Sequence, residues 1–104
     1  MSNWIEVGQI NDIPPLGARV VQTGQGDIAV FRNSQNEIFA LRDKCPHKGG
    51  PLSQGIVSGK TVTCPLHNWK ISLENGEAMG PDSGCSGVYA VKLEGETIYL
   101  NLKT

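Results

Sequence analysis

Two short cysteine–histidine pairs, Cys45-Pro46-His47 and Cys64-Pro65-Leu66-His67, hold both histidines and two of the three cysteines of the chain, with sixteen residues between them. In the order C-x-H then C-x2-H, two thiolates and two imidazoles can divide between two metals. The cysteines then hold one iron, and the histidines the other, of a two-iron, two-sulfide cluster. Each pair must reach both irons, and the proline after each cysteine stiffens that step by fixing φ and removing an N–H. Replacing two anionic thiolates of an all-cysteine site by neutral imidazoles brings the formal charge of the oxidised cluster from about −2 to about 0. An electron is then easier to add, and the potential moves from about −400 mV into a range of roughly −150 to +300 mV. The chemistry on offer is one-electron transfer, fed by donors such as reduced flavins. No residue is assigned a catalytic role.

Two other uses of these residues stay open at this point. A structural Cys2His2 zinc site takes the same donors, although its usual spacing is C-x2-4-C with H-x3-5-H, and C-x-H is tight around one tetrahedral ion. A cysteine nucleophile with a histidine base needs one pair and leaves the other without a role.

The elements that must position the pairs read as β-strands. Apolar residues nowhere recur at helical spacing, whereas short alternating runs recur between turn signals, which predicts an all-β, antiparallel fold. Ala18 to Thr23, Asp27 to Phe31 and Glu37 to Arg42 read as a meander whose third strand runs into Cys45. Thr61 to Thr63 ends at Cys64. Trp69 to Leu73 and Glu77 to Met79, around Asn75-Gly76, predict a hairpin that starts just after His67. Val88 to Leu93 and Thr97 to Leu102 predict another, with Ile98, Leu100 and Leu102 on one face. Both donor pairs thus fall on loops anchored by strands. Eight of the thirteen glycines lie between Gly49 and Gly87, around or after the donors. A cluster with bridging sulfides needs backbone N–H groups aimed at it, and Gly49-Gly50 beside His47 suit that use.

At 104 residues the chain is expected to be a single domain, 1–104, with a cluster-binding part at about 43–85. A net charge of −1 provides no basic field, so no nucleic-acid partner is expected. Neither a leader-like N-terminus nor an apolar run of spanning length is seen, so a cytoplasmic protein with no membrane attachment is expected. In that reducing compartment cysteines serve metal or redox chemistry before disulfides. Cys85 stands outside the motif, and a buried small thiol is its expected state.

From Lys44 to Cys85 the chain resembles the Rieske-type small subunit of assimilatory NAD(P)H-dependent nitrite reductase. The residues that carry the likeness are Cys45-Pro46-His47-Lys48-Gly49-Gly50-Pro51-Leu52-Ser53-Gln54-Gly55, Cys64-Pro65-Leu66-His67-Asn68-Trp69, Gly80-Pro81-Asp82 and Gly84-Cys85. The resemblance implies a Rieske [2Fe-2S] fold of three small antiparallel sheets stacked as a barrel-like core. The cluster sits at one tip between two ligand loops, under a covering loop that contains Pro81. It also implies a large-subunit partner that carries flavin, a four-iron cluster and sirohaem and reduces nitrite to ammonia, this chain passing electrons without catalysing alone. The Rieske ferredoxin of a ring-hydroxylating dioxygenase is the alternative. A glycine commonly follows each histidine there, whereas Lys48 and Asn68 stand in those places here. Respiratory Rieske proteins carry an extra disulfide between the loops, where this chain has Gly50 and Leu66. That difference implies a potential low in the Rieske range.

In such domains the histidine ligands lie nearest the tip. Electrons are therefore expected to cross through His47 or His67, with a partner docked over Pro46, Leu52 and Leu66. Lys44, Lys48 and Lys70 either rim that surface or are simply solvated. Trp69 either covers the ligand loop or belongs to the core.

Overall fold

Alternating apolar and polar residues produce antiparallel strands in the computed structural model, which describes residues 4–24, 26–43, 51–64, 70–78 and 87–102. Among them are the strands β1 (Trp4–Gln9), β2 (Ala18–Thr23), β3 (Gly26–Arg32), β4 (Ile38–Arg42), β5 (Ile56–Ser58), β6 (Thr61–Thr63), β7 (Lys70–Ser72), β8 (Val88–Glu94) and β9 (Thr97–Asn101). Short 3-10 turns stand at Ile10–Asp12 and Leu52–Gln54. One sheet has the order β1-β9-β8-β4-β3-β2, and a smaller one the order β5-β6-β7. The fold is all-β, as the sequence predicts. Two of the three implied sheets are joined: β8 pairs with β4 through Val88 and Tyr89, then with β9 from Ala90 to Glu94.

The larger sheet is nearly closed, like a barrel. Its edge strands β1 and β2 line opposite walls of an open cavity of about 650 Å³. Arg19 on β2 pairs with Asp12 at 3.4 Å, and a Cβ on Gly8 would strike the Arg19 guanidinium. Gly8 has a φ of 125° at the end of a bulge in β1, and it is this backbone angle that calls for glycine, since the flexible Arg19 side chain could move aside.

The run Ile28-Ala29-Val30-Phe31 in β3 is apolar without alternation because both of its faces are buried. Ile28 and Val30 point into the larger sheet and pack with Ile13, Ala40, Tyr89, Ile98 and Leu100. Ala29 and Phe31 point the other way and, with Leu41, meet Leu52, Val57, Val62, Ile71 and Leu73 of the smaller sheet and its turns. Adjacent residues of β3 and β4 therefore serve two cores, and the second core fastens the smaller sheet to the larger. Asn33, 1% exposed, ties them again at the far end. Its side-chain amide donates to Gly59 O (3.1 Å) and Glu37 Oε1 (2.8 Å), and its oxygen accepts from the N–H groups of Gln35 and Glu37.

The meander, the Thr61–Thr63 strand and the C-terminal hairpin lie where the sequence places them, within a residue at most boundaries. Strands β1 and β5 were not expected. The first is broken by its bulge at Gly8, and the second is three residues long on an edge. The hairpin expected after His67 is present as far as it is described: Ile71 bridges to Ala78 and the Ser72 N–H donates to Glu77 O at 2.9 Å, while Trp69 and Met79 lie outside the described residues. Leu73 is buried and donates its N–H to Lys60 O at 2.8 Å, which holds the hairpin's turn against the β5–β6 turn.

Candidate metal centre

The three segments that the sequence marks as functional leave the frame side by side. Arg42, at the end of β4, donates its N–H to Gly87 O at 2.7 Å, so the start of the segment 44–50 and the end of the segment 79–86 share a root. Asp43 follows. Its N–H donates to Asp27 O at 2.9 Å, and its carboxylate takes two hydrogen bonds from Ser53, from the N–H at 2.7 Å and from the hydroxyl at 2.9 Å. Asp43 and Ser53 are thereby held together. Leu52 to Gln54 make a 3-10 turn, and Gly55 then passes against Thr63, where a Cβ would run into the Thr63 carbonyl oxygen. Thr63 pairs with Lys70, which closes the root of the segment that holds Cys64 to Trp69. Residues 42, 43, 53, 55, 63, 70 and 87 thus form a continuous chain of contacts that joins all three roots.

Cys64 is the candidate donor whose surroundings are described. It follows β6 directly, is fully buried, and lies in the core of Leu52, Val57, Val62, Ile71 and Leu73. A lone thiolate is costly among such residues, whereas a coordinated one is deprotonated by the metal's own charge. A cluster ligand on this wall fits that chemistry, with the apolar core around it. Cys45, His47 and His67 lie outside the described residues, as do Lys44, Pro46, Lys48, Gly49, Gly50, Pro65, Leu66, Asn68, Trp69, Pro81 and Cys85. Hence no group of three metal-ligating side chains occurs among the described residues.

One expectation is corrected. Leu52 does not face a partner: it is fully buried, packed against Val57, Val62 and Phe31. The exposed apolar residue on the smaller sheet is Ile56, 72% accessible, in a row with Thr63 and Lys70 across that sheet. Sequence reasoning passed over Asp43, and named Ser53 and Gly55 only as carriers of the resemblance, with no role of their own. Their signal was present, an acid two residues before the first cysteine and a hydroxyl and a glycine inside Pro51-Leu52-Ser53-Gln54-Gly55.

An all-β frame that gathers these roots at one place, with paired cysteines and histidines on two of the segments, defines a small metal-cluster domain. The chain belongs to the Rieske [2Fe-2S] domain family, whose model matches residues 3–92. Its cofactor is a Rieske-type [2Fe-2S] cluster, and the domain is an electron-transfer domain associated with oxidoreductases. It is 39% identical over 67 residues to 4beta-methylsterol monooxygenase of Methylococcus capsulatus, a match that takes in 64% of this chain and 18% of that one. Against the ferredoxin component of the naphthalene 1,2-dioxygenase/salicylate 5-hydroxylase systems of Ralstonia sp. it is 28% identical over 102 residues, 97% of each. Among solved structures, it superposes on a chain of the complex of reduced oxygenase and oxidised ferredoxin in carbazole 1,9a-dioxygenase with a TM-score of 0.84, at 25% identity, covering 97% of this chain and 94% of that one. The Escherichia coli protein NirD gives a TM-score of 0.86 at 23% identity, covering all of both chains. At that identity the last likeness is one of fold.

Proposed function

We propose that this chain is the electron-transfer small subunit of a cytoplasmic NAD(P)H nitrite reductase, with Cys45 and Cys64 on one iron of its cluster and His47 and His67 on the other. The cluster, when bound, supplies a one-electron couple. The chain's own residues hold it: the 43–53 and 63–70 roots present one cysteine–histidine pair each, and the Leu52, Val57 and Val62 core keeps water from the Cys64 side. The observation that carries the reading is the pair of matched clips on adjoining roots, in a chain whose Lys48 and Asn68 replace the glycines common in dioxygenase ferredoxins. The partner is a large subunit with flavin, a four-iron cluster and sirohaem, where nitrite becomes ammonia.

A second reading has its own support. The match with the Ralstonia ferredoxin component spans nearly the whole of both chains, which favours a ferredoxin that serves a ring-hydroxylating oxygenase. Anaerobic purification of the tagged chain from its native cells separates the two. Co-purification with a sirohaem subunit, and loss of the reduced EPR signal in His47→Ala, are the expected results. Recovery with a ring hydroxylase overturns the nitrite reductase assignment. A colourless, zinc-loaded protein overturns the electron-transfer reading altogether.

A further inference from the structure

The carboxylate of Asp43 gives both its oxygens to one residue, Oδ1 to the N–H and Oδ2 to the hydroxyl of Ser53. The pair is part-buried, and hydrogen bonds to a charged acceptor are the stronger kind. Asp43 is itself fixed to the frame through Asp27 O, and Ser53 through the turn in which Gln54 donates to Pro51 O and Gly55 to Leu52 O. Two rigid points therefore fix the separation and relative direction of the two ends of the segment between them. That segment holds Cys45, two residues after Asp43, and His47.

We propose that Asp43 and Ser53 are a positioning pair, a latch that sets the pose of the Cys45–His47 clip against the clip on the Cys64 side and so tunes the centre's electronic symmetry and its retention of iron. The inference rests on the ligand set proposed above. A clamp that merely stabilised the fold would change melting temperature and leave the spectrum alone. A latch at the donor loop changes the spectrum while the sheets stay folded. Asp43→Asn keeps the geometry and removes the charge, because its Oδ1 still accepts from the Ser53 N–H and its Nδ2 can donate to the hydroxyl. Ser53→Ala keeps the charge and removes one contact.

The test compares wild type, Ser53→Ala, Asp43→Ala, Asp43→Asn and His47→Ala by circular dichroism, reduced-state EPR and the rate of iron release to a chelator. In the latch variants shifted g values are expected, with iron release about fivefold faster in Ser53→Ala, the factor that one net hydrogen bond is worth, and faster again in Asp43→Ala, which loses two. Asp43→Asn should restore the wild-type line shape. Ser53→Ala decides the matter alone if Asp43→Ala does not fold, since it loses a single hydroxyl. Wild-type g values and release rate in folded Ser53→Ala, with the signal lost in His47→Ala, refute the latch and leave the ligand set standing. A signal that survives in His47→Ala refutes the ligand set instead.

Discussion

Gly55 lies so close to the carbonyl oxygen of Thr63 that a Cβ at position 55 would collide with it and press on Val62 Cγ2. Its φ of −81° is open to any residue, so the requirement for glycine is one of contact alone. The contact seats the exit of one donor loop on the strand that leads to Cys64. Gly55→Ala should cost about 1–3 kcal/mol, as overpacking does, and should lower iron content along with the midpoint of urea unfolding. Unchanged iron and an unchanged midpoint would mean that the two loops are not seated on each other.

Leu52 and Ile56 should separate stability from docking. Leu52→Ala opens a hole in the core between the sheets and should cost about 2–5 kcal/mol in chemical denaturation. Ile56→Asp, at a 72% exposed position, should leave the denaturation midpoint and visible spectrum as they are and slow electron exchange with the partner in stopped-flow mixing. An exchange rate equal to that of wild type would show that a partner does not dock over Ile56.

Asn33 is the other tie between the sheets. Asn33→Ala leaves Gly59 O and the N–H groups of Gln35 and Glu37 without their side-chain partner in a buried place, which should cost about 1–3 kcal/mol by thermal or urea unfolding. Since Asn33 stands at the end of the smaller sheet away from Asp43, its loss should leave the EPR line shape intact once the protein is folded. A changed line shape would show that both ends of that sheet govern the cluster.

Leu16 has a φ of 64° in the Pro14–Gly17 turn and is 48% exposed, so an awkward backbone angle is matched by little packing. Asparagine accepts that region more readily. Leu16→Asn should raise the melting temperature by a few degrees, corresponding to a gain of up to about 1 kcal/mol in a domain of this size. A lower melting temperature would reveal a packing role for the leucine.

The sequence exposes most of the sheet and the cluster class of the domain because these depend on short-range patterns. Alternation places β2, β4, β8 and β9, and the bare run of β3 still reads as a strand because it is short and ends at turn residues. The strands that escape notice differ in cause: β1 owes its pairing to β9 at the other end of the chain, and β5 is only three residues long, too short for an alternating pattern. Leu52 misleads for a related reason. Beside a ligand loop it reads as surface, but the 3-10 turn of Leu52–Gln54 points it inward against a strand more than twenty residues earlier. The Asp43–Ser53 contact is equally invisible, since ten positions separate two residue types that are common in loops.

The contacts that join the roots, Arg42 with Gly87, Asp43 with Ser53, Gly55 with Thr63 and Thr63 with Lys70, run through none of Cys45, His47 and His67. Cys64 alone of the candidate donors belongs to the described frame, as a member of its core. The frame is in that sense a socket whose rim is held by its own hydrogen bonds and strand pairs, with one terminal built into the wall.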